Sequence, residues 1–326
     1  MSVARTIRSV VKGIEQAEGV GATVRRSIGS RTSKMFNPFL LLDHFTQTQP
    51  GGFPEHPHKG QETITLVLNG AVAHEDFTGS KGVLYPGDLQ FMTAGRGIVH
   101  SEIPILPKDG SPVEGIQLWV DLPEHLKETD PSYRDLREWE VPQVEAQDGK
   151  VSVKIISGKA YGVESIKKLA STPIDYYLYS LKSGGRFKQE LKPEFNYFLY
   201  MAKGGELTVN NAQTLTAFEN AFFNQDGDFV EGENTGESDV LFALVGGPKQ
   251  NQRVLHYGPF IGTTNEYLER AIVDFENATA GFTNRRTWKS LISNGVTEEM
   301  INGPLNGSLE QREKAKQKYL EANKKV

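Results

Sequence analysis

From its start to about residue 255, this chain never runs far before a glycine, a proline or an asparagine pair breaks it. It holds 33 Gly and 16 Pro in 326 residues. Between the breaks lie short apolar runs: Phe39-Leu40-Leu41-Leu42, Glu62-Thr63-Ile64-Thr65-Leu66-Val67-Leu68 and Gly115-Ile116-Gln117-Leu118-Trp119-Val120. Runs of this kind, closed by turn residues, build the strands of a sandwich or barrel. Asn69-Gly70, Pro86-Gly87-Asp88, Asn210-Asn211 and Asp226-Gly227-Asp228 supply the turns, because these residues accept tight backbone geometry. The fold class read from this pattern is all-β.

The run from Glu62 to Gly70 (ETITLVLNG) is repeated in weak form from Asn196 to Gly204 (NYFLYMAKG). Each is followed by a strand, a turn and a second apolar run, Asp88-Leu89-Gln90-Phe91 in one copy and Asn220-Ala221-Phe222-Phe223 in the other. A repeat of this size in a chain too long for one core reads as two related β-domains. We place them at residues 1–130 and 131–260, with the join in the charged stretch from Pro123 to Pro142. Val3, Thr6, Ile7, Val10 and Val11 read as a first strand rather than a transit sequence. Residues 261–326 form a short helical extension. Tyr267, Leu268, Ala271, Ile272 and Phe275 recur at helical spacing between Asn265 and Ala280, with Gly281 as the expected C-cap. Glu310 to Lys325 reads as a second helix with little apolar face, capped by Ser308 and expected to be a solvated or frayed end.

The chain has no cysteine, which excludes disulfides, thiolate metal sites and Cys nucleophiles. The net charge of −5 offers no basic field for phosphates, so no direct nucleic acid binding is expected. No apolar run approaches the roughly 20 residues that cross a bilayer. With no secretory leader, the cytoplasm or nucleus is the expected location, and no membrane partner is expected.

His56-Pro57-His58 is the sharpest local feature. On a strand, residues i and i+2 share a face, about 6.5–7 Å apart, so two imidazoles can converge on one ion. His100-Ser101-Glu102 repeats the geometry with a carboxylate. Three of the seven histidines fall in these two tripeptides. If the two strands are neighbours, three nitrogens and one carboxylate oxygen face one point. Such a set suits Fe, Mn, Ni, Cu or Zn. Four donors leave positions open on an octahedral ion, as a reactive site requires.

These residues resemble the cupins and, among them, the pirin family. Gly51/Gly52, His56, His58, Glu62 and Gly70 approximate the first cupin motif, and Gly97-Ile98-Val99-His100 the second. Closer resemblance to pirins lies in Phe53-Pro54-Glu55-His56-Pro57-His58-Lys59-Gly60, in Ala73-His74-Glu75-Asp76-Phe77 and in the run from Met92 to Glu102. It continues in Gly258-Pro259-Phe260 and Ala280-Gly281-Phe282, and spans roughly residues 1–290. It implies two tandem cupin (jelly-roll β-barrel) domains packed face to face, with metal in the first alone. The repeat agrees, since it sets Glu190 opposite His56 and Lys192 opposite His58. It also implies one mononuclear iron, Fe(II), on His56, His58, His100 and Glu102. Many cupins use the first-motif acid as the ligand, here Glu62; the pirin pattern uses Glu102. Glu62 is then expected to lie behind the ligands or to relay a proton.

Pirins resemble quercetin 2,3-dioxygenases, so the implied activity is opening of a flavonol ring by O2 with release of carbon monoxide. In that reading Glu102 is a ligand or the acceptor of the substrate's hydroxyl proton, with Glu62 the reserve base. The competing implication is an iron-binding, redox-sensitive transcriptional co-regulator acting through protein partners. Other residues carry plainer expectations. His74 reads as a strand-end histidine bonded to backbone, or as a residue behind the metal ligands, and His44 and His125 as structural. Arg96 would orient an anion or pair with an acid. Phe53, Phe91, Met92 and Trp119 are core residues or the walls of an aromatic pocket. Arg25-Arg26 reads as a surface pair.

Overall fold

The computed structural model describes residues 2–166 and 169–323. Lys324 and Lys325, the end of the expected last helix, lie outside the described residues. The protein is two β-barrels packed through one face of each. In the first sheet the order is Ser132–Leu136, Leu89–Thr93, Gln61–Asn69, Val113–Asp121, Phe39–His58, Ile98–Ile105, Ala71–Asp76 and Lys81–Leu84. Val20–Ile28 and Ile14–Glu18 add on beside Phe39–His58. In the second sheet it is Ile7–Lys12, Glu219–Phe223, Phe195–Lys203, Val240–Pro248, Asp175–Leu181, Val151–Ser157 and Gln143–Ala146. A four-stranded sheet of Arg186–Glu190, Phe229–Asn234, Leu207–Val209 and Gln213–Leu215 covers the inner face of the second barrel.

The sequence repeat is visible in these orders. Gln61–Asn69 and Phe195–Lys203 occupy the same place in their sheets, each between a short and a long partner. The edge strands are exchanged, however. Ile7–Lys12 pairs with Glu219–Phe223 of the second barrel, and Ser132–Leu136 pairs with Leu89–Thr93 of the first. Two strands therefore cross the expected division at residues 130 and 131, in opposite directions.

Side-chain alternation along each strand separates two environments. Ile64, Leu66, Leu89, Phe91, Leu118 and Val120 face the seam between barrels, where they meet Tyr176, Leu178, Phe198, Tyr200, Phe222 and Val245. The opposite face of the same strands turns Thr63, Thr65, Gln117 and Trp119 into the first barrel. That interior is polar, whereas the second barrel is filled by Tyr177, Tyr179, Phe187, Tyr197 and Phe242, all buried. Across the seam, His44 Nδ1 lies 3.2 Å from the Tyr200 hydroxyl. Burial, with Arg25 and Lys203 adding, pushes the His44 pKa down to about 4.

The C-terminal extension packs on the first barrel. The helix Asn265–Asn277 starts at Thr264, whose hydroxyl accepts the Tyr267 N–H. It ends at Ala278, in the left-handed region at φ 52°, not at the expected Gly281. Gly281 is instead needed for contact, since a Cβ there would sit 2.1 Å from the Arg96 carbonyl oxygen. The neighbouring Phe282 ring fills the space over Gly97, in the turn before the His100 strand. Beyond it, Ile292 and Leu305 bury against Ala71, Ala73, Val83 and Ile103. The last helix, Leu309–Asn323, is docked rather than loose: Arg312 donates to both oxygens of the fully buried Asp88 at 2.6 and 2.7 Å, over the Trp139 ring. Among the described residues, no helix is long and apolar enough to cross a membrane.

Two stability measurements check this packing. Because the folded protein holds His44 neutral below its ordinary pKa, the unfolded chain takes up the extra proton as pH falls. The contribution is intact above pH 6.5 and erodes toward pH 4, on the order of 3 kcal/mol at about 1.4 kcal/mol per unit. Denaturant titrations across that window should show a shallower acid slope for His44→Asn than for wild type. Arg312→Ala should lower stability by about 2 kcal/mol, since it weakens the compensation of a buried carboxylate. Asp88 keeps Arg137 as a second partner.

Candidate metal centre

The strand Phe39–His58 carries the first tripeptide across the barrel. Its first half pairs with Val113–Asp121 and Val20–Ile28, and its end with Ile98–Ile105. The change of partner falls at Gly51-Gly52, at φ 145° and 124°. A Cβ on Gly51 would lie 2.0 Å from the Val20 carbonyl oxygen, and one on Gly52 2.8 Å from that of Glu102. Only glycine permits both approaches.

Past that bend the register sets His56 opposite His100. Directly paired residues share a face, as do residues two apart, so His56, His58, His100 and Glu102 all point into the barrel. The rings are 4.3 Å (His56–His100) and 5.0 Å (His56–His58 and His58–His100) apart by centroid. One donor atom from each of the three histidines lies within 4.8 Å of the others. Glu102 stands beside them, 3.8 Å from His100 Nε2.

The surroundings orient these groups. His56 Nδ1 donates to the Pro54 carbonyl at 2.8 Å, which leaves Nε2 as a lone pair. The Gln61 amide lies 2.7 Å from His58 Nδ1, and its oxygen is otherwise buried without a partner. A 180° turn of the amide would set that oxygen to accept from Nδ1 and so free Nε2, at the cost of the 3.3 Å bond from the amide nitrogen to the Pro259 carbonyl. Glu102 is held at both oxygens, by Thr65 Oγ1 at 3.3 Å and by Gln117 Nε2 at 3.2 Å. Burial, then the neighbouring imidazoles, holds His58 and His100 well below the ordinary histidine pKa, so both are neutral donors at pH 7. His100 Nε2 is buried with no hydrogen-bond partner. A buried polar atom without a partner costs free energy, and a cation among the three nitrogens would satisfy it. The residues present therefore fit a transition-metal ion.

His56, His58 and Glu102 of the cluster line a cavity of about 500 Å³. Leu41, Phe45, Phe53 and Trp119 give it apolar walls, and Trp119 stands edge-on to His58. The first and second halves both contribute, because His256, Gly258 and Pro259 return to line it.

Two family models match this chain: pirin over residues 21–120 and the pirin C-terminal cupin domain over 176–281. The pirins of Rattus norvegicus and Homo sapiens are each 41% identical over 296 residues, covering 90% of this chain and all of theirs. The chain belongs to the pirin family. Its structure is also similar to a quercetin 2,3-dioxygenase from Acinetobacter baumannii, with a TM-score of 0.78 at 25% identity, covering 86% of this chain and 99% of that one. The two barrels are thus the two cupin domains of a pirin, with short helices after them.

The pirin fold does not bring Glu62 to the cluster. Its place on Gln61–Asn69 alternates with Thr63 and Thr65, so it faces the seam with Ile64. There Oε1 accepts from Thr93 Oγ1 and the Ser171 N–H, both at 2.7 Å, and Oε2 from the Thr172 N–H at 2.8 Å. Glu62 pins the second domain to the first, and it is not placed to move a proton at the site. Other expectations divide. His74 meets a carboxylate, Asp135 at 3.1 Å, rather than backbone. Arg96 pairs with Asp130, and Arg26 with Asp43 and Glu18. Phe53 and Trp119 line the cavity; Phe91 is in the seam and Met92 under the C-terminal helix. Gln61, Thr65, Gln117 and His256 carried no motif, and only strand register or the returning chain reveals them.

Glu62→Gln separates the two roles. It should cost about 1–3 kcal/mol of stability, because it weakens the capture of the buried Thr172 N–H and the partly buried Ser171 N–H. Metal uptake measured on the same preparation should stay at the wild-type level.

Proposed function

We propose that this pirin is a metal-dependent dioxygenase that opens the flavonol ring of quercetin-type substrates with O2 and releases carbon monoxide. One mononuclear ion would be held by His56, His58, His100 and Glu102. The donor set accepts iron, manganese, nickel, copper or zinc; iron is the assignment that the pirin resemblance supports. The observation that carries the reading is the cavity itself, whose lining joins His56, His58 and Glu102 of the cluster to the apolar side chains of Leu41, Phe45, Phe53 and Trp119. Likeness to a quercetin 2,3-dioxygenase over nearly all of that enzyme supports the substrate class. Such an ion supplies acidification of a coordinated hydroxyl and an electronic path between substrate and O2.

The chain's own residues do the rest. Phe53 and Trp119 offer flat faces for a planar polyphenol and exclude water from the cluster. Glu102 accepts the proton of the flavonol 3-hydroxyl. Thr65 and Gln117 fix both carboxylate oxygens before substrate arrives, so no reorientation is needed when the proton moves. His58 and His100, held neutral by burial, offer ring nitrogens rather than imidazolium charge beside the carboxylate near pH 7.

An aerobic assay with iron-loaded full-length protein and quercetin tests this. Flavonol absorbance should fall in step with carbon monoxide release, and His56→Ala should abolish both. Glu102→Gln should cut turnover by about 100-fold or more, the usual worth of a positioned base. Equal absorbance traces for wild type and His56→Ala would overturn the reading.

A further inference from the structure

We propose that Tyr133 and Asp76 are positioning residues for His100, linked in a chain Asp76–Tyr133–His100 behind the ion. The inference rests on the metal reading above and deepens it. Asp76 sits directly opposite His100 in the pairing of Ala71–Asp76 with Ile98–Ile105, so both side chains leave the same face. Tyr133 comes from the exchanged strand Ser132–Leu136. Its ring stacks on His74 at 6.2 Å and 10°, and its hydroxyl lies 3.5 Å from His100 Nδ1. The Asp76 carboxylate faces that hydroxyl.

The hydrogen-bond inventory then allows one arrangement. Once Nε2 of His100 is committed to an ion, Nδ1 must carry the ring proton, and the Tyr133 oxygen is the acceptor beside it. The phenol in turn must donate. Asp76 Oδ1 is already occupied by the Thr78 N–H and hydroxyl and by the Ser80 N–H, at 2.7, 2.8 and 3.0 Å. Asp76 Oδ2 is buried with no partner. Donation from Tyr133 to Oδ2 satisfies the open oxygen of Asp76, and the loop Asp76–Ser80 holds that carboxylate still. The chain fixes which nitrogen His100 presents and increases its basicity.

The test uses full-length apoprotein titrated with Co(II), whose visible absorption reports its ligand field. Wild type, Tyr133→Phe, Asp76→Asn and the double variant are compared, with Tyr85→Phe as a hydroxyl-loss control far from the cluster. Each single variant should bind Co(II) about 10–100-fold more weakly and shift the visible bands, while the apoprotein melts as wild type does. The double variant should lose little more than one single, because the two residues act as one chain. Wild-type affinity and spectrum in both single variants would overturn the proposal. So would a loss of affinity matched by an equal fall in apoprotein melting temperature, which assigns Tyr133 to packing alone. A wild-type protein that binds no Co(II) would overturn the metal reading itself, so the two failures are distinguishable.

Discussion

The pairing of His56 with His100 across two antiparallel strands is the contact on which the centre depends. A slip of one residue would turn the candidate ligands out of the barrel, because strand side chains alternate. The register is protected from both ends. Gly51-Gly52 allow the long strand to leave one partner and join another. Gly97 and Phe282 lock the turn from which the His100 strand starts. The C-terminal helices, which contribute no ligand, thus stabilise the geometry of the site from outside.

The two barrels show what one architecture does with two interiors. In the first, Thr65, Gln117 and Glu102 are hydrogen bonded to one another beside the three imidazoles, and an open cavity remains. In the second, tyrosines and phenylalanines close the equivalent space. Buried polar groups need partners, so a barrel without a metal is more stable filled with aromatics. The seam joins the two through an apolar layer crossed by a few polar contacts, among them Glu62 on the Ser171 and Thr172 amides and His44 on the Tyr200 hydroxyl. Loss of the ligands in the second barrel is therefore compatible with a structural duty: it supplies one wall of the seam, and the chain leaving it supplies His256 at the cavity.

Much of this was legible in the sequence. The two tripeptides needed only the two-residue period of a strand to imply convergence, and the repeat at Glu62 and Asn196 announced two related sheets. The rest depended on partners far along the chain. Glu62 lies four residues from His58, yet its parity with Ile64 and Leu66 sends it to the opposite face. The exchange of Ile7–Lys12 and Ser132–Leu136 leaves no local mark, since an edge strand reads alike beside either sheet. The last helix has no apolar face to reveal a docking side; two cations hold it, Arg312 on Asp88 and Lys316 on Glu138. Tyr133 and Gln117 look like ordinary strand residues until the register sets them beside His100 and Glu102.

X-ray absorption spectroscopy of the iron-loaded protein measures the central claim most directly, because it counts the ligands on the ion. The account requires three imidazole nitrogens and a carboxylate oxygen around one iron per chain, falling to two imidazoles in His58→Ala. A spectrum without histidine scattering, or one unchanged in His58→Ala, would contradict it.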